Sequence, residues 1–130
     1  MEAKATAKFV RYTPRKVNQV LALVRDKKVR RAFEVLSFLP KSAASFVEKV
    51  LKSAVANAGK LKDYSNLKVK EAWVGNGPTL KRMRAGSKGR SMPIKKRTVH
   101  LTIVVTDVGV VPEKTKKKVD KNKVKTQEAE

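Results

Sequence analysis

The chain has 130 residues, 32 of them Lys or Arg against 11 Asp or Glu, and its net charge of +21 is far more than solubility requires, which points to a polyanionic partner such as nucleic acid. Hydrophobic residues make up 41%, enough for one small compact core, and the lack of cysteine excludes disulfides and thiolate metal sites. No apolar run approaches the ~20 residues of a membrane span, and the amino terminus lacks the apolar stretch of a secretory signal, so no membrane contact is expected.

In chain order, Ala3, Ala5, Ala7 and Phe9 alternate with Lys4, Thr6, Lys8 and Val10, predicting a first strand over 3–11 with one basic face. Thr13-Pro14 starts a helix, because threonine can cap free N–H groups and proline is tolerated at the first helical position. Val17, Val20, Leu21 and Val24 form its apolar stripe. Arg11, Arg15 and Lys16 gather at its amino end, where backbone donors and the helix dipole favour phosphate. A second helix is expected over 30–39, with Ala32, Phe33, Leu36 and Leu39 inward, stopped by Pro40. A third, over 42–58, repeats Ala43, Phe46, Val47, Val50, Leu51, Ala54, Val55 and Ala58 at steps of three and four, and Gly59 stops it. Strands follow over 67–74, with Val69, Trp73 and Val74, and over 98–108, where Val99, Leu101, Ile103 and Val105 alternate with His100, Thr102 and Thr106.

Between these strands lies the segment 75–97. No acidic residue occurs from 72 to 106, whereas Lys81, Arg82, Arg84, Lys88, Arg90, Lys95, Lys96 and Arg97 are all basic. Its few apolar residues cannot offset an ordering cost of roughly 1–2 kcal/mol per residue, so a polyanion is required to stabilise it. The simplest geometry is a hairpin with its tip at Gly86-Ser87-Lys88-Gly89, carried about 30 Å from the body at roughly 3.3 Å per residue. The expected fold is α+β: a three-stranded antiparallel sheet packed on three helices, with a long extended β-hairpin. One domain is expected over 1–111, followed by a disordered lysine-rich tail over 112–130.

Chemistry has few footholds. His100 is the one histidine, no second exists to build a metal site, and the acids are scattered, so neither an enzyme nor a metal or other cofactor is expected. The Gly75-Asn76-Gly77-Pro78 and Gly86-Ser87-Lys88-Gly89 runs fit no phosphate-loop spacing and read as bends. Trp73 reads as core, or a lid on the core, ahead of a base-stacking residue. Binding is expected from Lys81, Arg82, Arg84, Lys88, Arg90, Lys95, Lys96 and Arg97 of the hairpin, together with Lys8, Arg11, Arg15 and Lys16. An architectural DNA-binding protein using basic β arms is the alternative.

Several blocks, in order, carry a resemblance: Lys8-Phe9-Val10-Arg11, Thr13-Pro14-Arg15-Lys16, the run Val50 to Ala58, Gly77-Pro78-Thr79-Leu80-Lys81-Arg82, Lys88-Gly89-Arg90, and Lys96 to Val105. The chain resembles the universal large-subunit ribosomal protein family numbered twenty-two in bacteria. That resemblance implies a structural protein on large-subunit ribosomal RNA, beside neighbouring ribosomal proteins and without homo-oligomers, that supports subunit assembly in the cytoplasm or an organelle. It also implies that the hairpin lines the nascent-peptide exit tunnel. Arg84, Ala85, Gly86, Ser87, Lys88, Gly89, Arg90, Ser91 and Met92 would lie nearest the tunnel and its nascent polypeptide. Where the family commonly has Arg-Gly-Lys after the first helix, this chain reads Arg25-Asp26-Lys27.

Overall fold

The computed structural model describes residues 2–59 and 64–107, so the lysine-rich tail expected over 112–130 lies outside the described residues. The elements run β1 (Glu2–Val10), α1 (Pro14–Val24), α2 (Val29–Phe38), α3 (Ser42–Asn57), β2 (Leu67–Asn76), β3 (Leu80–Ala85), a one-turn 3-10 segment (Ser87–Gly89), β4 (Ser91–Lys96) and β5 (Val99–Asp107). β5 sits in the middle of a sheet ordered β1-β5-β2, antiparallel to both neighbours, and β3 and β4 form a separate two-stranded sheet. The α+β architecture expected from the sequence is present.

The helices cover one face of the larger sheet because their apolar stripes meet its apolar row. Val17, Val20, Leu21 and Val24 of α1 are buried, as are Val47, Val50, Leu51, Ala54 and Val55 of α3. Opposite them lie Val99, Leu101, Ile103 and Val105, each wholly out of solvent. Each such side chain stabilises the body by roughly 1.5–3 kcal/mol relative to exposure. Ala54 and its neighbours permit close packing of α3, whose Asn57 side-chain amide donates to Lys4 O at 2.9 Å and so caps part of the free edge of β1. Tyr12, between β1 and α1, stacks on Phe46 at 5.6 Å and donates its hydroxyl to Ser42 O at 3.0 Å, fixing the approach to α1.

Three local expectations are corrected. Thr13 occupies the cap position of α1, but its side chain makes no capping hydrogen bond; its carbonyl instead accepts from Lys16 and Val17. Phe9 does not share the inward face with Ala3 and Ala5: the register shifts between Ala7 and Val10, Phe9 takes φ 57°, and its ring is exposed while Val10 turns to the core. Trp73 is not in the core either. A second shift between Val69 and Glu71 puts Ala72 inside and the indole outside. One extra residue reverses the facing of everything beyond it.

Asp26 adopts φ 61°, in the left-handed region where side chains other than glycine's are strained. That explains why glycine suits the middle of the Arg-Gly-Lys step. Asp26→Gly is therefore expected to raise stability by about 0.5–1 kcal/mol. The exposed contact of Asp26 with Lys68, at 3.7 Å, offsets little of this. Chemical denaturation reads the change, and a loss of stability would show that the ion pair outweighs the backbone.

Candidate nucleic-acid interface

Where β2 ends, the chain leaves the body through a narrow neck. The Gly77 N–H donates to Thr98 O at 2.9 Å, and the Thr98 hydroxyl donates to Pro78 O at 2.6 Å. A Cβ on Gly77 would lie 2.4 Å from that hydroxyl oxygen, so only glycine lets the two arms close here. Thr98, almost wholly buried, and Gly77 were not singled out by sequence as site residues; the Gly-Pro dipeptide opposite a lone threonine at the foot of a strand is the trace they leave.

Beyond the neck the two arms pair in strict register, Leu80 with Lys96, Lys81 with Lys95, Arg82 with Ile94, Met83 with Pro93, Arg84 with Met92 and Ala85 with Ser91. The tip closes where expected. The Gly86 N–H donates to Arg90 O at 2.8 Å, and Lys88 and Gly89 follow each other in the left-handed region at φ 54° and 68°. Glycine at 89 removes the side-chain clash at the second of these positions. Every residue of β3 and β4 is exposed.

Directly paired residues share a face of the finger, so its two sides differ. One carries Arg82, Arg84 and Lys96 set among Leu80, Ile94 and Met92. The other has Lys81 and Lys95 directly opposite each other, a repulsive pair, and then the uncharged Met83, Pro93, Ala85 and Ser91 toward the tip.

The predicted cations fall into two groups that meet. Lys81, Arg82, Arg84, Lys88, Arg90, Lys95 and Lys96 run along the finger, all exposed. At its root, Arg97 presents its carbonyl to the Arg11 guanidinium at 3.4 Å, which brings the end of β1 beside the finger. Lys8, Arg15 and Lys16 are exposed on β1 and on the first turn of α1, which contains no acidic residue. None of the twelve joins an ion pair among the described residues. Acids pair elsewhere: Asp26 with Lys68, Glu34 with Arg30, Glu48 with Lys52, and Glu2 with Lys70. The hydrogen bond from Lys70 to Glu2, with the charge of that carboxylate, raises the Lys70 pKa above its ordinary value.

His100 has a structural task. Its Nδ1 accepts the Phe9 N–H at 3.1 Å and its ring meets the Phe9 ring edge-on at 4.7 Å, holding the irregular turn of β1 in place. Among the described residues, no group of three His, Cys, Asp or Glu side chains could hold a metal ion. No helix among them is long and apolar enough to cross a membrane.

A helix-backed body that projects a finger whose cations join no ion pair among the described residues has the form of a protein that docks on a polyanionic scaffold. Residues 5–106 match the family described as ribosomal protein L22p/L17e. The large ribosomal subunit protein uL22 of Endomicrobium trichonymphae is 83% identical over 107 residues, covering 82% of this chain and 93% of the relative. Those of Clostridium acetobutylicum and Clostridium tetani are 51% and 54% identical over 109 residues, covering 82% of this chain and 98% of each relative. The chain belongs to the ribosomal protein L22p/L17e family, and it is a structural component of the large ribosomal subunit rather than an enzyme.

Proposed function

We propose that the body anchors on large-subunit ribosomal RNA through Lys8, Arg11, Arg15, Lys16 and Arg97, and that the finger runs inward along RNA to form part of the exit-tunnel wall. The observation that carries this reading is the finger itself: an exposed antiparallel pair whose cations join no ion pair among the described residues. An isolated two-stranded hairpin is marginal in water, and the opposed Lys81 and Lys95 weaken this one further. RNA phosphates supply the missing counter-charge, and arginine's planar fork suits both phosphate and base edges.

The asymmetry of the finger supports a choice between its sides. Arg82, Arg84 and Lys96 face RNA, and the uncharged outer half of the other side, Met83, Ala85, Ser91 and Pro93, faces the tunnel and the nascent polypeptide. The tip from Arg84 to Met92 reaches farthest inward, and the body touches neighbouring large-subunit proteins.

With about six to eight basic side chains engaged, the affinity for ribosomal RNA should fall with salt along a log-log slope of roughly −4 to −7. A flat slope between low and moderate salt would reject phosphate neutralisation as the source of binding. In a sucrose gradient of cell extract, the protein should travel with the large subunit through a high-salt wash; release into the top fractions would remove it from the subunit's structural framework.

A further inference from the structure

Among the described residues the face of the sheet away from the helices is open, and the chain's one tryptophan stands on it midway along the edge strand β2. Trp73 on β2, Thr102 on β5 and Thr6 on β1 are paired in one row across the three strands, with the two threonine hydroxyls 3.2 Å apart. The indole is 41% exposed, and the Lys4 ammonium reaches over it from β1 to 5.7 Å from the ring centroid. The irregularity between Val69 and Glu71 turns this large ring outward, away from a core that would have sheltered it. Irregularities of this kind recur beside binding sites, where they re-aim a side chain.

We infer that Trp73 is a stacking platform for one unpaired nucleotide of large-subunit ribosomal RNA, with Lys4 and Lys8 holding its phosphates. The inference rests on the ribosomal-RNA reading above and adds a site that the finger does not contain. Charge favours this occupant. From Trp73 toward the finger's root, the open face passes Gly75, His100 and Lys8 and ends at Arg11 and Arg97, and neither 73–76, 97–102 nor 6–11 contains an acid. Of the two acids of this face, Glu2 pairs with Thr106 toward the opposite end and is already held by Lys70, while Glu71 pairs with Val104 in the row of Lys4, on the side of the indole away from the finger. Gly75, paired with His100, has no side chain to crowd the indole on the side toward the finger; a Cβ there would meet only His100, at 3.9 Å. The cationic path of the finger's root thus continues onto the sheet, and an exposed aromatic surface flanked by cations is what a base and its phosphates require.

Because Trp73 is the one tryptophan, its fluorescence reports on this site alone. The full chain is titrated with a single-stranded uridine oligomer of about ten nucleotides, within the usual span of such sites, and with an RNA duplex of equal charge. Stacking predicts loss of Trp73 emission with the single strand and little change with the duplex. By anisotropy of labelled RNA, W73A should bind the single strand about tenfold more weakly with an unchanged salt slope, and W73F should recover most of the affinity. Salt-dependent binding with unchanged emission would overturn the stacking site while leaving the finger's role standing. Absence of salt-dependent RNA binding would overturn both readings.

Discussion

Replacing Lys81, Arg82, Arg84, Lys88 and Arg90 together by glutamine should lower affinity for ribosomal RNA by about three orders of magnitude near 0.1 M salt and flatten the log-log salt slope by about 4 units. Each of these cations is exposed and outside every ion pair among the described residues, so each is available to displace one RNA-bound counterion. None touches the core, which is built from the helices and the larger sheet, and the melting of the body should not move. Binding measured across a salt series therefore separates this variant from one that merely unfolds. A slope that stays put would mean the finger does not lie on RNA.

Gly77→Val should disrupt the neck, at about 1–3 kcal/mol of stability in the region joining finger to sheet. The first added carbon meets the Thr98 hydroxyl oxygen at 2.4 Å and the Thr98 carbonyl carbon and oxygen at 3.1 and 3.2 Å. The hydroxyl could rotate away only by giving up its bond to Pro78, and the backbone atoms have no such freedom. The expected outcome is a folded body with a misdirected finger: RNA binding by the isolated protein keeps its salt slope, while incorporation into the large subunit fails. Adding Thr98→Ala removes the nearest atom and should restore part of the stability. Full restoration would locate the whole conflict in the hydroxyl, and no restoration would locate it in the backbone.

The helices and β5 were legible because their burial is regular. The three- and four-residue steps of α3 from Ala43 to Val55 match its buried positions except that Phe46 is half-buried and Ala44, outside the stripe, is buried; the odd-numbered row from Val99 to Val105 is buried throughout, and Thr102, between the neighbouring strands, is buried as well. The cationic finger was legible for a different reason, since seventeen positions from 81 to 97 hold eight basic residues and no acid. Phe9 and Trp73 were misread because strand parity was assumed to persist. The clue lay in the sequence: Leu67 and Val69 are odd-numbered and Ala72 and Val74 even, with the charged Lys70-Glu71 step between them. Ala7 and Val10 bracket Lys8-Phe9 in the same way. The meeting of Arg11 with Arg97 had no local trace, because residues 86 apart in sequence are joined only by the pairing of β1 with β5. The missing side-chain cap at Thr13 likewise depends on geometry that residue type alone does not set.

The placement of β5 between β1 and β2 has a consequence for how the protein comes into being. The last described strand to be synthesised is the one to which both others must hydrogen-bond, and Glu2 waits for Thr106. A chain halted before Val99 would hold β1 and β2 with no strand to join them and three helices lacking the buried row of Val99, Leu101, Ile103 and Val105, so the body closes only once nearly all the described chain has left the machine that makes it. The finger is thus always complete before its own foundation exists, and a copy broken off early exposes raw apolar surface, which favours aggregation over a place in a growing subunit.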